Sequence, residues 1–359
     1  MQLKKSFYRT CREPGFAASI APMSEYIQIL QGDQLDGHLN RCWKQALSKG
    51  FSRVSDLCDF LNLDPSAFVD SHFPLKVPMR YVEKIEKGNP NDPLLLQVIP
   101  SRKEEVKVSG FTSDPLSESQ FLPAPGIIHK YKNRLLMVTT GACGIHCRYC
   151  FRRHFPYDDQ SLTPSISEQS FGYIQNSTQV NEVILSGGDP LSLSDLKLKS
   201  ILNRLEEIPH LKRIRIHSRL LAILPERITE NMVQLFSQTP LKVIIVTHIN
   251  HPNELDEFFA LQLKWLKAAG VTLLNQSVLL KNINDSDHVL VALSEALFDA
   301  GILPYYLHLL DPVEGAAHFD VAEEKAKEIY AKIMANLPGF LVPKLVREEA
   351  GAQNKTLVL

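Results

Sequence analysis

Three cysteines that lie close together constrain this chain more than any other feature of its sequence. Cys143, Cys147 and Cys150 form a C-x3-C-x2-C arrangement in the run Gly141-Ala-Cys-Gly-Ile-His-Cys-Arg-Tyr-Cys. Thiolates at this spacing can converge on one metal centre if the backbone curls into a loop. Structural zinc is almost always closed by four ligands. Three thiolates instead suit a cubane [4Fe–4S] cluster in which one iron is left open for a substrate.

Two other interpretations of these residues stay open on spacing alone. Cys147 and Cys150 form a C-x2-C pair, which is typical of redox-active thiols. His146 or His154 could supply a fourth ligand and complete a Cys3His zinc site. The sequence therefore favours an iron–sulfur cluster, with a zinc site and a thiol pair as alternatives.

From about residue 134 onward, short apolar runs rich in β-branched residues alternate with longer segments of helical periodicity. This alternation is typical of parallel strands that are each followed by a helix. The pattern predicts an α/β fold, namely a partial (β/α)6 barrel of the TIM type with right-handed crossovers. The predicted strands are 135–140, 182–185, 213–216, 243–247, 271–274 and 305–309. The predicted helices are 193–208, 228–238, 253–269 and 285–300.

Polar or glycine-rich clusters follow each of the six predicted strands directly. In a parallel barrel the functional residues gather at this end, because it carries the loops from strand to helix. In chain order, the residues concerned are Cys143, Gly187, Gly188, Asp189, His217, Arg219, His248, Gln276 and Asp311. We therefore expect them to meet in one cavity at the carboxyl ends of the strands.

The remaining parts of the chain flank the predicted barrel, which spans residues 111–338. Residues 1–110 are predicted to form a mainly helical region, with one helix over 39–61 that ends at Asn62-Leu-Asp-Pro. Residues 339–359 form a C-terminal segment whose stretch 340–346 is apolar and β-branched. We expect this segment to dock on the open barrel and to close it.

The composition excludes several classes of function. The formal net charge of the 359 residues is −1, so no net field draws the chain to nucleic acid or to anionic lipid. No apolar run approaches the roughly 18 residues of a membrane span, and the N-terminus lacks the apolar core of a signal peptide. The six cysteines do not form a disulfide framework. We therefore expect a cytoplasmic protein with no nucleic-acid or membrane partner.

The cysteine motif, with an aromatic residue just before its last cysteine, resembles the signature of the radical S-adenosylmethionine (SAM) superfamily. The longer run Cys-Arg-Tyr-Cys-Phe-Arg-Arg-His-Phe, residues 147–155, resembles the lysine 2,3-aminomutase family and its branch that modifies elongation factor P. The resemblance covers roughly residues 80–359. It implies three cofactors, a [4Fe–4S] cluster, SAM and pyridoxal 5′-phosphate (PLP), and an isomerase that converts L-α-lysine into β-lysine.

The resemblance also implies a role for each group of candidate residues. The implied cluster ligands are Cys143, Cys147 and Cys150. The implied SAM contacts are Gly187, Gly188, Asp189, His217 and His248. The implied PLP contacts are Lys130, Arg134, Arg219 and Gln276. Arg152 matches the residue that holds the substrate α-carboxylate, for which a planar guanidinium is well suited, and Asp311 and Glu348 match two acidic positions that hold the distal ammonium.

Lys355 matches the family's PLP-binding lysine, because it lies twelve residues after Pro343. A lysine forms a Schiff base only when its amine is deprotonated, which burial or nearby positive charge favours. The sequence predicts that Lys130, Arg134 and Arg219 supply that charge. Two departures from the lysine-specific mutases are visible: residues 351–354 replace most of a glycine-rich run, and Glu348 stands where those enzymes have aspartate.

Partners and competing functions follow from the same resemblance. It implies an electron donor of the flavodoxin or ferredoxin type, and a separate ligase that attaches β-lysine to elongation factor P. Aminomutases that ferment lysine carry a cysteine-rich extension for structural zinc; no cysteine follows Cys150, so we expect no such zinc here. The alternatives are an arginine or glutamate aminomutase, a radical SAM enzyme without PLP, and a non-catalytic iron–sulfur or zinc protein. Two carboxylates in the distal pocket disfavour glutamate, since like charges repel.

Overall fold

Eleven strands in two sheets form the framework of the described chain, which in this computed structural model comprises residues 43–359. A small antiparallel sheet pairs β1 (Gly50–Phe51) with β2 (Val77–Pro78). The strands of the large sheet are β3 (Ile127–Tyr131), β4 (Arg134–Thr140), β5 (Glu182–Gly187), β6 (Arg213–Ser218), β7 (Lys242–His248), β8 (Thr272–Val278), β9 (Leu303–His308), β10 (Lys344–Arg347) and β11 (Thr356–Leu357).

The large sheet has the spatial order β11-β10-β9-β8-β7-β6-β5-β4-β3. Strands β4 to β10 are all parallel to their neighbours, whereas β3 and β11 are antiparallel edge strands. The predicted α/β fold is confirmed, and all six predicted strands are present. The parallel part has a seventh strand, β10, and within the described residues the two edges do not pair, so the barrel stays open.

Helices cover the outer face of this sheet. Their bounds are α1 (Val54–Leu61), α2 (Met79–Val82), α3 (Pro93–Leu96), α4 (Tyr157–Gln160), α5 (Pro164–Asn176), α6 (Asp195–Glu206), α7 (Leu220–Ile223), α8 (Glu230–Gln238), α9 (Glu257–Ala268), α10 (Asp287–Asp299) and α11 (Glu323–Asn336). Side chains of Thr163, Ser194 and Thr229 cap the first turns of α5, α6 and α8 by accepting backbone N–H bonds. The four predicted helices correspond to α6, α8, α9 and α10.

Apolar and polar side chains alternate along β6, so that one face of the strand packs in the core and the other faces the interior of the barrel. In β6, Ile214 and Ile216 are fully buried among the apolar residues of the main core, which include Leu198 and Leu202 of α6. Successive side chains of a strand point to opposite faces. The charged residues Arg213 and Arg215 therefore lie on the other face, where they line the interior cavity.

The prediction of one continuous helix over 39–61 is wrong at residues 50 and 51. Residues 43–48 are helical and α1 begins at Val54, but Gly50 and Phe51 between them form β1. A Cβ on Gly50 would lie 2.4 Å from the Val77 carbonyl oxygen, so the pairing with β2 requires glycine there. The spacing of apolar residues in the sequence does not predict such a close approach of two backbone segments. Residues 39–42 of that prediction lie outside the described residues.

The C-terminal segment docks on the sheet where the sequence predicts that it closes the barrel. Strand β10 adds to β9 in parallel, and β11 returns beside β10, so that Arg347 pairs with Thr356. We call β10, β11 and the connecting residues 348–355 the C-terminal hairpin. Leu345 and Val346 are almost fully buried, which anchors it. None of the helices in the described part of the chain has the length and apolar character needed to cross a bilayer.

Candidate active site

A cavity of about 680 Å³ runs through the open barrel from the loop after β4 to the C-terminal hairpin. Every residue that the sequence predicts for cofactor or substrate binding lines it, from Cys143 to Lys355. The cavity also extends to the amino ends of the strands, where Arg134, Glu182 and Arg213 lie. The expectation that these residues meet in one cavity is therefore confirmed. Their individual roles remain predictions.

The cysteine loop, residues 141–150, follows β4 and brings its three thiols to one end of the cavity. Burial raises the pKa of Cys150 to about 11, and the neighbouring Cys147 adds to the effect. Burial also raises the pKa of Cys143 well above its usual range, with Cys150 and Asp189 contributing. A metal cation reverses this preference, because it stabilises thiolates directly. A metal cation bound by the loop would therefore hold these cysteines as thiolates.

The three thiols of the cysteine loop match the cysteine ligation of a cubane cluster. Among the residues between 43 and 359, no group of three or more His, Cys, Asp or Glu side chains is already gathered tightly enough to hold one metal ion. A cubane does not require this, since its cysteines bind separate iron atoms. The three thiols of the cysteine loop therefore suit a [4Fe–4S] cluster.

Neither histidine near the loop is placed to complete a Cys3His zinc site. The Nδ1 atom of His146 hydrogen-bonds to the Pro74 carbonyl at 2.9 Å, and its ring stacks on Phe73 at 5.0 Å between centroids. His154 contacts the Glu314 carbonyl at 3.4 Å. The cavity lining includes neither of them. The zinc alternative that uses these histidines has no support in the structure.

Arg219 is a buried cation beside the cysteine loop. Its guanidinium donates to the Cys147 thiol at 2.8 Å, to the Tyr149 hydroxyl at 2.6 Å and to Gln97 Oε1 at 2.7 Å. Glu254 Oε2 completes an ion pair at 3.0 Å. The sequence predicts a PLP contact for Arg219, and that role stays a prediction. Its contacts favour a different one, which is to place positive charge against the cysteine ligands.

The glycine pair after β5 fits closely against the cysteine loop. A Cβ on Gly188 would lie 2.4 Å from the Ala142 carbonyl oxygen, and Gly187 has a φ of +113°. The Asp189 carboxylate accepts bonds from the Ser218 hydroxyl at 2.8 Å and from the Arg219 backbone N–H at 2.8 Å. The side chain of Asp189 thus holds the loop after β6, and the glycine backbone is the part of the motif left to face a ligand.

Two predicted histidines lie in the middle of the cavity as neutral rings. His217 and His248 pack edge to face at 5.7 Å between centroids. Burial lowers the pKa of His248 to about 3 and, together with Arg215, lowers that of His217 well below its usual range. His248 Nε2 contacts Gln276 Nε2 at 2.9 Å, whereas His217 Nε2 is buried without a hydrogen-bond partner. His217 therefore has a free ring nitrogen to offer a ligand.

Arg152 already binds a carboxylate of the chain itself. Its Nε and Nη2 atoms donate to the two oxygens of Glu118, each at 2.8 Å, in a buried bidentate pair. Its Nη1 atom donates to the Ser186 hydroxyl at 3.1 Å. The side of the guanidinium formed by Nε and Nη2 is therefore occupied, and one N–H on Nη1 and one on Nη2 remain for a substrate.

The C-terminal hairpin brings Lys355 onto Glu348. Lys355 Nζ donates to Glu348 Oε2, while Oε1 accepts from the Tyr131 hydroxyl at 2.8 Å and lies 3.8 Å from Lys130 Nζ. Burial opposes ionisation, but Lys355 and Lys130 lower the pKa of Glu348 to about 2. The nearest charged partner of Lys355 is thus an anion rather than the cations that the sequence predicts.

Asp311 is the second carboxylate of this region, which we call the acid site (Glu348 and Asp311). Burial raises the pKa of Asp311 to about 7, although the nearby Lys355 opposes the shift. Asp311 directs no side-chain hydrogen bond to any described residue and lines the cavity. A cation that enters the cavity would therefore be attracted to it.

The motif-based prediction misses several polar cavity residues, among them Glu118, Tyr131, Arg215 and His308. A signal exists for Arg215, since Arg213, Arg215 and His217 alternate with isoleucines along β6 and so share the cavity face. A signal exists for His308 as well, which ends β9 three residues before Asp311. Glu118 lies in a short helical turn outside the strands, where no periodicity assigns it a direction.

Comparisons with known proteins are consistent with this geometry. Residues 137–293 match the family described as the Radical SAM superfamily. The chain is 48% identical over 320 residues to L-lysine 2,3-aminomutase of Haemophilus influenzae, covering 88% of this chain and 95% of that protein. It is 49% identical over 320 residues to L-lysine 2,3-aminomutase of Escherichia coli, covering 88% and 93%. It is 38% identical over 280 residues to L-lysine 2,3-aminomutase of Clostridium subterminale, covering 78% and 67%.

Proposed function

The chain belongs to the L-lysine 2,3-aminomutase family of the radical SAM superfamily, and on that premise we propose that it converts L-α-lysine into β-lysine. One observation carries the proposal. A single cavity joins the three thiols of the cysteine loop to Lys355 and the acid site. The first group suits a [4Fe–4S] cluster with SAM, and the second suits an amino acid whose side chain ends in an ammonium.

The residues present fit the three cofactors. The cysteine loop would hold the cluster, and the backbone of Gly187 and Gly188 faces the cavity where SAM would approach it. Lys355 offers an amine for PLP beside an aromatic ring, since its Nζ lies 5.8 Å from the centre of the Tyr306 ring. When bound, the cluster with SAM supplies the radical that removes a hydrogen atom, and PLP supplies the conjugated ring that carries the migrating nitrogen.

A basic group at the amino ends of the strands fits the PLP phosphate. The Arg134 guanidinium lies over the Tyr131 ring at 4.0 Å, and Arg215 pairs with Glu182 while its Nε atom is buried without a partner. Dispersed guanidinium groups suit a phosphate here, because a planar fork binds phosphate oxygens well. We include Arg215 with Lys130, Arg134 and Gln276 among the proposed PLP contacts.

The chain's own residues then orient the substrate. Arg152 Nη1 and the Ser186 hydroxyl would bind the α-carboxylate, and Glu348 and Asp311 would bind the side-chain ammonium. A carboxylate pair attracts lysine or arginine and repels glutamate. The acid site therefore favours a cationic amino acid, and the family relation favours lysine.

The proposed cellular role is to supply β-lysine for the modification of elongation factor P by a separate ligase in the cytoplasm. The run 147–155, which resembles that branch of the family, supports it. A flavodoxin- or ferredoxin-like protein would supply the electron. Deleting the gene should remove a β-lysyl group from elongation factor P, as read from the intact mass of that protein. An unchanged mass would reject this role and leave the aminomutase activity standing.

The activity itself is tested by anaerobic reconstitution of the protein with iron and sulfide. Incubation with L-lysine, SAM, PLP and a reductant should yield β-lysine, identified by chromatography against standards, with arginine and glutamate as competing substrates. Cys147→Ala should lose both the iron–sulfur absorption and the product. Cys58→Ala, a buried cysteine of α1 outside the cavity, should keep both. Product from arginine or glutamate but not from lysine would refute the proposed substrate.

A further inference from the structure

The ammonium of Lys355 occupies the acid site in this structure. It donates to Glu348 Oε2, and the side chains of the pair are 22% and 11% exposed. The other oxygen of Glu348 is engaged by Tyr131 at 2.8 Å. The acid site thus already holds a primary ammonium on a flexible hydrocarbon chain, which is the chemical group that the side chain of lysine carries.

The register of the C-terminal hairpin produces this contact. Arg347 pairs with Thr356 across β10 and β11, so Glu348 and Lys355 are the next opposed positions. Directly opposed residues of an antiparallel pair have their Cβ atoms about 4.5–5.5 Å apart. The backbone of the hairpin therefore brings the two side chains within reach of each other.

A second ion pair in the same cavity shows the same arrangement with the opposite charge, and Lys130 Nζ lies 3.8 Å from the carboxylates of both Glu118 and Glu348. Arg152, which would bind the substrate carboxylate, is paired with the buried carboxylate of Glu118. Both charged ends of an amino acid therefore meet groups that the chain has neutralised for itself. At the acid site the neutralising group is Lys355, whose amine would also bind PLP. The bonding of PLP is therefore linked to the exposure of the acid site.

We propose that Lys355 holds the place of the substrate ammonium on Glu348, so that lysine gains access to the acid site only after Lys355 is bonded to PLP. The inference rests on the proposed function. When the bond forms, the ammonium of Lys355 releases a proton, its nitrogen attacks the aldehyde carbon, and the aldehyde oxygen leaves as water. The nitrogen is then tied to the cofactor and no longer pairs with Glu348. PLP thus binds before lysine.

Asp311 strengthens the exclusion of lysine while Lys355 is in place, and it favours lysine binding once Lys355 has left. Among the cations near Asp311, Lys355 opposes the rise in the pKa of its carboxyl group more strongly than Lys130 does. A second ammonium would have to share the acid site with the first, and like charges at close range repel. Removing Lys355 from the acid site frees the Glu348 oxygen that it occupied, and Lys130, 3.8 Å from the other oxygen, is then the remaining cation of the chain beside Glu348.

The test measures the binding of L-lysine, by titration calorimetry, to the full chain that carries its cluster but no PLP. Lys355→Met should bind lysine at least about tenfold more tightly than the wild type, the change expected when one charge-assisted hydrogen bond becomes available. L-Norleucine, which lacks the side-chain ammonium, should show no such gain. Lys344→Met, an exposed lysine on β10 of the same hairpin, is the matched control and should bind lysine as the wild type does.

Equal lysine affinities in the wild type and Lys355→Met would overturn the inference, and so would an equal gain for norleucine. Lys355→Gln, which keeps a polar side chain, is measured in parallel so that misfolding of one variant does not end the comparison. A separate arm tests the proposed function: borohydride reduction of the PLP-loaded wild type should fix a pyridoxyl group on Lys355. A label on another lysine, or no label, would reject the PLP role of Lys355, whatever the lysine affinities are.

Discussion

A single contact of Arg152 changes the role that can be expected of its side chain. The sequence predicts a free guanidinium fork for a carboxylate ligand, and the structure fills the side formed by Nε and Nη2 with Glu118. Neither the position of Glu118 nor its partner follows from the sequence, because 34 residues and a loop separate the two. What the sequence does predict is the location of Arg152 in the cavity, since it follows the cysteine loop directly.

Removing the carboxylate of Glu118 should destabilise the protein strongly. Glu118→Ala leaves Arg152 buried without its partner, and breaking a buried pair in this way costs about 3–5 kcal/mol. Glu168→Ala is the control, because its ion pair with Arg204 is exposed, with 74% of the Glu168 side chain accessible. Such pairs contribute about 0–1 kcal/mol. The free energy of unfolding from denaturant titration measures both, and equal losses would contradict the buried role of the Glu118–Arg152 pair.

The carboxyl group of Asp311 should make lysine binding dependent on pH near neutrality. Burial raises its pKa to about 7, opposed by Lys355 and Lys130, while Glu348 and Glu118 add to the rise. The ionised form attracts the ammonium and is lost as the pH falls below 7. The KM for lysine should therefore rise about tenfold between pH 8 and pH 6, as expected for one group with that pKa. In Asp311→Asn the KM should be higher throughout and should lose this dependence; a variant that retained it would assign the titration to another group.

At the level of elements, the strands are the part of the fold that the sequence predicts best. The six strands β4 to β9 are short and rich in apolar residues, and each ends in a polar or glycine-rich cluster. The prediction omits β3 and β11, which are the two edge strands, and β10 beside β11; β10 and β11 are too short for a periodic pattern, with four and two residues. The prediction also omits two helices: α5, which lies between β4 and β5, and α11, which follows β9.

Two loops, one after β4 and one after β5, depend on each other through Gly188. A methyl group there would lie 2.4 Å from the Ala142 backbone oxygen, so Gly188→Ala must displace the residue that precedes Cys143. We expect the purified variant to lose most of its iron after anaerobic reconstitution. Gly172→Ala is the control: it lies in α5 with nothing within 4 Å of the added carbon, and it should gain roughly 0.5–1 kcal/mol of stability. Iron content and the free energy of unfolding are measured for both, and full iron loading of Gly188→Ala would show that the loops are independent.

Across the whole molecule, the sheet remains open between its first and last strands, and side chains span the opening. Tyr131, at the end of β3, donates to Glu348 on the C-terminal hairpin, and Lys130 lies 3.8 Å from the same carboxylate. The sequence predicts a partial barrel closed by its C-terminal segment. It cannot predict which residues meet across the opening, since they come from the two antiparallel edges of the sheet, which no motif marks.

Loss of the Tyr131 hydroxyl should loosen the C-terminal hairpin without unfolding the sheet. In Tyr131→Phe the backbone amides of residues 344–357 should exchange with deuterium faster than in the wild type, because local openings need less free energy when a bridging bond is lost. Tyr330→Phe on α11 is the matched hydroxyl deletion and should leave that exchange unchanged. Unaltered exchange in Tyr131→Phe would mean that β9 alone holds the hairpin.

The bond across the opening joins residues 217 positions apart in the chain. Closing a loop of that length in an unfolded chain costs about 5 kcal/mol of entropy from its length alone. A hydrogen bond to a charged group contributes only about 1.5–3 kcal/mol. The contact therefore cannot nucleate folding, and it forms only once the intervening strands have placed both partners. A spectroscopic label on the Tyr131 ring would thus report the completion of the entire sheet, which makes this one hydroxyl a sensor of the last step of assembly.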